Sequence, residues 1–432
     1  MNDDALEEII TAVPGPRTRE LTPQLRAYES RNVTFVDERF PVFWESASGA
    51  TVTDVDGNRY IDLTSAFGVA NTGHSNAYVA AAIHDQAVRL MHAMGDVHPT
   101  EVKVKLLEKL AQITPGSLSK TFLASTGAEA VEAALKTAML ATGKSAFASY
   151  RGAYHGLSLG TLEISGIEKF RTPFAQVLPK KALALDYPAA DALWADEGLA
   201  AALEEARAAL RTRNDLAALI VEPVQGRGGS IVPPNGYLSG LRAICDELGI
   251  LLIVDEIYTG FGRTGAMFAC EHEGVVPDIL CAGKALANGF PISAAIAKPE
   301  IMDAWPVSPG EALHTSTYLG NPMACAAALA NIGEIERMDL PARARQLGTA
   351  LGSRLDGLRA DGRVKAVRGR GLIWGIELES GEHAERAVKE ALRRGVIALQ
   401  AGPLGNVLSI TPPLVISERQ LFRAIDILTE CL

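Results

Sequence analysis

LLIVDEIYTGFGRTG, from Leu251 to Gly265, and PDILCAGKALANGFP, from Pro277 to Pro291, are the two stretches that decide the fold. The apolar run that opens the first, Ile250 to Val254 when the preceding residue is counted, includes β-branched members and leads straight into Asp255 and Glu256. A continuous apolar run of this length reads as a strand buried on both faces, as in a parallel sheet, with its carboxyl end opening on a site. In the second, a short strand from Asp278 to Cys281 delivers Lys284 among small residues. The two strands bring an acid and an amine to one edge of an α/β sheet.

Outward from this pair, short apolar strands alternate with alanine-rich helices from about residue 61 to 315. Examples are Thr121 to Ala124, Ser145 to Ser149, Ala218 to Val221 and Ile279 to Ala282. The alternation predicts a mainly parallel sheet covered by helices. Before it come a helix from Pro16 to Glu29, an irregular segment, and two strands, Ala50 to Val55 and Tyr60 to Leu63. Asp56-Gly57-Asn58 between those strands is a hairpin signal. Later come long helices (Met323 to Glu336, Ala342 to Arg359) and strands near Gly371 to Glu377 and Leu408 to Ile410. This pattern predicts a large domain over 61–330 and a smaller α+β domain over 331–432, completed by residues 1–60.

Composition narrows the function. At 432 residues the chain exceeds one ordinary core, and 48% hydrophobic with 21% charged residues fits a soluble globular enzyme. The net charge of −10 argues against a nucleic-acid partner, which calls for a basic footprint. No apolar stretch approaches the roughly 20 residues of a membrane span. MNDDALEEII lacks the basic and apolar regions of a signal peptide. Five scattered cysteines without CxxC spacing read as cytosolic thiols rather than disulfides or a metal site, so a cytoplasmic location is expected.

An acid and an amine at strand ends match the needs of pyridoxal 5'-phosphate. The amine holds the aldehyde as a Schiff base, and the acid keeps the pyridine nitrogen protonated so that the ring acts as an electron sink. In TFLASTGAEAVEAALK, Thr121 to Lys136, a strand runs through Ser125-Thr126-Gly127 into a helix whose free N–H groups suit a phosphate. An ordinary Ser/Thr N-cap accounts for the same residues. YRGAYHG, Tyr150 to Gly156, offers an aromatic and a histidine to a planar ring, and a packed turn is the competing reading. Ile257 is placed to meet the other ring face. HTSTYLGNP, His314 to Pro322, supplies hydroxyls before a turn.

Taken together, these motifs resemble the class III pyridoxal-phosphate aminotransferases of fold type I, the ornithine and 4-aminobutyrate type. The resemblance spans nearly the whole chain. It includes VTDVDGNRYIDLTSAFGVANTGH (Val52 to His74), VEPVQGRGG (Val221 to Gly229), STYLGNPMACAAAL, VRGRGLIWGIEL (Val367 to Leu378) and TPPLVIS (Thr411 to Ser417). It implies a mainly parallel seven-stranded sheet with a smaller α+β domain. It also implies roles by position. Lys284 would be the Schiff-base lysine and general acid/base, and Asp255 the partner of the pyridine nitrogen. Tyr154 would stack on the ring, with His155 beside it and Ile257 beneath. Thr126, Gly127 and Ala128 would hold the phosphate, and Glu222 would lie near the ring hydroxyl. Thr317 would reach the phosphate of the neighbouring subunit, which implies a homodimer with shared active sites; whether dimers pair into tetramers stays open.

Three departures from the family pattern bear on substrate. The aspartate-glutamate motif continues with Ile257-Tyr258 instead of Val-Gln, and Tyr258 can still offer a hydroxyl to the cofactor phenolate. The arginine that grips an α-carboxylate, three residues before Pro-Pro, is Ser409 here, and the glutamate that pairs with it is Arg227. Either anion recognition has moved to Arg227 or one substrate is an amine without an α-carboxylate; Arg227 pointing to solvent or bridging to an interface carboxylate is the alternative. Phe43, Trp44, Phe67 and Met94 fall in segments that line the substrate entrance in relatives. The expected reaction is transfer of an amino group from a donor amine to a keto acceptor in a ping-pong scheme. An isomerase on the same fold (racemase, epimerase or aminomutase), a decarboxylase or amino-lyase, and a catalytically silent relative are the competing readings.

Overall fold

All six residues of the strand Leu216–Val221 are buried, so its two faces must both be covered. Alternation divides them. Leu219 and Val221, with Leu252 and Val254, face the helix Tyr237–Leu248 through Leu241 and Ile244. Ile220 and Ile253 face the helix Gly127–Thr142 through Val131, Ala134 and Leu135. A sheet sandwiched between helices follows, and its hydrophobic burial is the main stabilising term. The computed structural model describes residues 4–34, 37, 42–188 and 196–432. Part of the irregular segment expected after the first helix lies outside the described residues.

The sheet has seven strands in the order Lys120–Ala124, Ser293–Ala297, Ile279–Ala282, Leu251–Asp255, Leu216–Val221, Ala146–Tyr150, Leu183–Leu185. All neighbours pair in parallel except Ser293–Ala297, which runs antiparallel to both its partners. That strand was not expected, because SAAIA is alanine-rich and lacks a strand's usual density of branched residues. Among the described residues, no helix is long and apolar enough to cross a membrane.

The hairpin at Asp56-Gly57-Asn58 forms between Thr51–Asp54 and Arg59–Asp62, with Gly57 at φ +84°. The buried Asp54 carboxylate holds it, accepting from the N–H groups of Asp56 (2.9 Å) and Asn58 (2.8 Å) and from the Tyr60 hydroxyl (2.7 Å). The pair is flanked by Trp44–Ser48, an exposed strand missed in the sequence, and by Val396–Ile397, which pairs in parallel with Arg59–Asp62. The N-terminal segment is thus sewn to the C-terminal part of the chain. A third sheet has the order Ala366–Arg370, Ile373–Glu377, Val407–Ile410, Leu399–Ala401.

Candidate active site

Asp255 ends its strand directly opposite Cys281 of the parallel neighbour, so the chain need only advance three residues to place Lys284 at the same edge. The turn that carries the lysine is tight, with Lys284 at φ +42°, a left-handed conformation that L-residues seldom adopt. Its Nζ lies 5.1 Å from the centroid of the Tyr258 ring and makes no hydrogen bond or ion pair with any described residue. Burial pushes the Lys284 ammonium below its ordinary pKa, against the opposing pull of Asp255 and Glu222.

The adjacent strands contribute the remaining groups. His155, which follows the strand Ala146–Tyr150, is only 2% exposed. Its Nδ1 lies 2.8 Å from Asp255 Oδ2, and the Ile257 N–H donates to Asp255 Oδ1 at 3.1 Å. A carboxylate can only accept, so this bond keeps the proton on Nδ1. His155 Nε2 is buried without a partner among the described residues. Glu222 follows the strand Leu216–Val221 and accepts from the N–H groups of Tyr154 (2.8 Å) and Gly226 (3.2 Å). Burial raises the Glu222 carboxyl to about 7, with Asp255 adding to the rise and His155 and the two N–H groups opposing it.

Ionising Glu222 in the fold is harder than in the unfolded chain, so its contribution to stability is intact below the ordinary carboxyl value of 4.5 and is lost as pH rises to about 7. Glu222→Gln stays neutral throughout. The melting temperature of the cofactor-free variant should therefore gain on the parent between these two values and hold a constant lead above them. The full difference is on the order of 3 kcal/mol. A pH-independent gap would show that Glu222 does not titrate in this window.

The helix Gly127–Thr142 begins in a capping box: Thr126 Oγ1 accepts from the Glu129 N–H, and the Glu129 carboxylate accepts from the Ser125 (2.8 Å) and Thr126 (3.2 Å) N–H groups. Thr126 is thus an N-cap through its side chain, while the N–H groups of Gly127 and Ala128 stay free among the described residues. Ile257 packs on this turn so closely that a Cβ at Gly127 would lie 3.0 Å from Ile257 Cδ1. Tyr154 is half-buried and meets Phe170 edge to face at 5.7 Å. Tyr258 donates to Thr411 Oγ1 at 3.3 Å and is pinched between Gly68 and Gly226, where added Cβ atoms would come within 2.8 and 2.4 Å of its ring.

The expected substrate residues are spread more widely. Arg227 is half-buried, and its Nη1 donates to the Gln400 carbonyl at 3.3 Å. Ser409 is buried on the strand Val407–Ile410, facing Leu399 in register. Phe43 is half-buried, Trp44 stands edge-on to His74 at 5.7 Å, and Phe67 and Met94 are exposed. Thr317 is exposed and hydrogen-bonds to no site residue of its own chain.

Phe67 rides on a turn that the sequence did not announce. Ser65, Ala66, Phe67 and Gly68 are all left-handed, at φ +48°, +49°, +66° and +75°. Each L-residue there costs about 1–2 kcal/mol, so the turn needs external support. Arg263 provides it. Fully buried, with no carboxylate partner among the described residues, it donates to Ser65 Oγ (3.2 Å), Asn71 Oδ1 (2.5 Å) and the carbonyls of Leu372 (2.9 Å) and Pro412 (2.5 Å). Burial lowers its pKa to about 10. Arg263 lies within the GFGRTG run, but a lone arginine after a turn reads as a surface charge, and nothing in the spacing marks it otherwise.

The doubly covered sheet, with Lys284 and Asp255 at its carboxyl edge, defines a transferase of fold type I. The chain belongs to the class-III aminotransferase family, whose model matches residues 34–432. It is 39% identical to the 4-aminobutyrate aminotransferase of Mycobacterium leprae (strain TN), with 98% of each chain covered. Two solved structures are similar throughout. One is a thermostable (S)-enantioselective omega-transaminase from Thermomicrobium roseum (28% identity, TM-score 0.88, 96% of this chain and 97% of that one). The other is the ornithine aminotransferase from Toxoplasma gondii ME49 (30% identity, TM-score 0.84, 96% and 94%). The protein is an aminotransferase, and its reaction is transamination.

Proposed function

We propose that this site holds pyridoxal 5'-phosphate and moves an amino group from a donor amine or amino acid to a keto or aldehyde acceptor, with Lys284 as the working amine. The observation that carries the reading is Lys284 Nζ, which pairs with no described residue, at the strand edge it shares with Asp255. The residues present fit the cofactor. Gly127 and Ala128 offer free N–H groups at a helix N-terminus to a phosphate, and the unpartnered His155 Nε2 and the half-buried Tyr154 suit a polar aromatic ring. Ile257 would supply an apolar contact from the other side, and Glu222 and Tyr258 would stand near the ring hydroxyl.

When bound, the cofactor supplies an aldehyde for the amine and a ring that takes up the electrons of the substrate's Cα–H bond. Lys284 Nζ, whose charged form burial disfavours, would take the proton from that carbon and return it to the carbon that had been the cofactor's aldehyde. Asp255, oriented by His155 and the Ile257 N–H, would pair with the ring nitrogen. The working unit in this proposal is a homodimer. Thr317 would complete the phosphate site of the neighbouring subunit, and the exposed apolar side chains of Val307, Leu313, Tyr318, Met91 and Met94 suit contact with a second copy. Four of the five free cysteines are buried, in keeping with a reducing, cytoplasmic setting.

Half-reaction spectroscopy tests the reading. Donor alone, added to the cofactor-loaded enzyme, should convert the yellow form stoichiometrically to the pyridoxamine form, and keto acid alone should reverse it. Turnover without that conversion would point to an isomerase instead.

A further inference from the structure

A cleft of about 410 Å³ opens where the helix Leu340–Ala360 and the paired strands Ala366–Arg370 and Ile373–Glu377 meet Thr264 and His272. That volume lies within the roughly 300–1,000 Å³ typical of small-molecule sites. Close backbone approach builds it. A Cβ at Gly348 would lie 2.1 Å from the Gly371 carbonyl oxygen, and one at Gly371 would lie 2.8 Å from Thr264 Cα. Hydrogen bonds then fix the side chains around Thr264-Gly265. His272 Nε2 lies 3.0 Å from Thr264 Oγ1 and 3.1 Å from its carbonyl oxygen, and Arg345 Nη1 donates to the Gly265 carbonyl at 2.9 Å. Arg370, beside Gly371, donates through Nη2 to Asn235 Oδ1 at 2.5 Å. Each guanidinium uses one nitrogen in these bonds and keeps further N–H groups free among the described residues. Asp356 is the only carboxylate in the wall among the described residues, and it is exposed. Trp374 Nε1 donates to the Gly371 carbonyl at 2.7 Å, which leaves the ring carbons as the apolar side of the cleft.

We propose that this cleft binds a small, multiply charged oxyanion of the phosphate or polycarboxylate kind, held by Arg345 and Arg370 with Trp374 alongside. Two guanidiniums placed by hydrogen bonds on one concave surface offer planar forks that match oxyanion geometry. One exposed carboxylate opposes two fixed positive charges, so the field at the cleft favours an anion. A ligand seated there bridges Thr264 and His272 to the helix and strands across from them. The site stands apart from the transamination reading, since none of its residues is among the cofactor or substrate groups.

The experiment uses the cofactor-loaded enzyme at fixed pH and ionic strength, with pyrophosphate and citrate as the two probes. Calorimetry measures each affinity for the parent and for its Arg370→Gln, Asp356→Asn and Trp374→Phe variants. Arg370 bonds only an exposed asparagine side chain and Asp356 is itself exposed, so neither change disturbs the fold; Arg345 is kept because it also holds the Gly265 carbonyl. The parent should bind at least one probe with a dissociation constant below about 1 mM. Arg370→Gln should bind it about ten-fold or more weakly, through loss of a charge-assisted contact. Asp356→Asn should bind it roughly two- to five-fold more tightly, because a like charge is removed. Saturation should shift the tryptophan emission of the parent with the same midpoint, and Trp374→Phe should abolish that shift while it keeps the calorimetric signal. Binding of pyrophosphate alone assigns a phosphate ligand, and binding of citrate alone a polycarboxylate. No saturable binding of either probe up to about 10 mM, or one affinity shared by the parent, Arg370→Gln and Asp356→Asn, would overturn the site. An emission shift that survives Trp374→Phe would place the anion elsewhere and overturn it too.

Discussion

Lys284→Ala is expected to slow the donor half-reaction by about 10⁴-fold or more, since a positioned general base alone contributes roughly 10²–10⁴ and the anchoring amine is lost as well. The yellow chromophore that borohydride fixes to the chain should vanish with it. The melting temperature of the cofactor-free protein should not fall. Lys284 Nζ has no hydrogen bond or ion pair to lose, and the variant removes an amine whose burial disfavours its charge. The left-handed backbone, at φ +42°, strains alanine much as it strains lysine, so it adds no new penalty. This combination separates chemistry from structure. A folded variant that retains activity within ten-fold of the parent would remove Lys284 from its role, and a variant that melts early would make its lost activity uninformative.

Much of this arrangement is legible from the chain alone, for a physical reason. Leu216–Val221, Leu251–Asp255 and Ile279–Ala282 are buried on both faces, so they appear as unbroken apolar runs and their carboxyl ends are easy to locate. Asp255 and Lys284 inherit that clarity. Ser293–Ala297 does not, because its alanines suit a helix equally well, and Trp44–Ser48 is largely exposed and has no buried face to pattern. The site's supports are harder still to read. Arg263 is defined by oxygens drawn from residues 65, 71, 372 and 412, a conjunction with no local signature. The left-handed turn at Ser65–Gly68 contains one glycine where the backbone needs four left-handed residues, so tertiary bonds rather than local propensity set it.

Asp255→Asn should lower kcat/KM by roughly 10³-fold, the scale seen when a preorganised electrostatic group is removed. The amide has nearly the carboxylate's shape, and its oxygen can still accept from the Ile257 N–H, so the fold should persist. What changes is charge and, with it, the histidine. Asp255 Oδ2 can only accept, which fixes the His155 proton on Nδ1. An amide nitrogen in that place donates instead, and it drives the proton to Nε2, where no protein partner waits. Two mechanisms for the loss are thereby mixed, and His155→Gln divides them. If Asp255 acts through its negative charge on the ring nitrogen, Asp255→Asn should be at least ten-fold worse than His155→Gln, and the double variant should be little worse than Asp255→Asn alone. If Asp255 serves only to orient His155, the two single variants should lose equally. Equal loss would move the electrostatic role from the carboxylate to the imidazole and would leave Lys284 as the group of the site whose own chemistry the reaction requires.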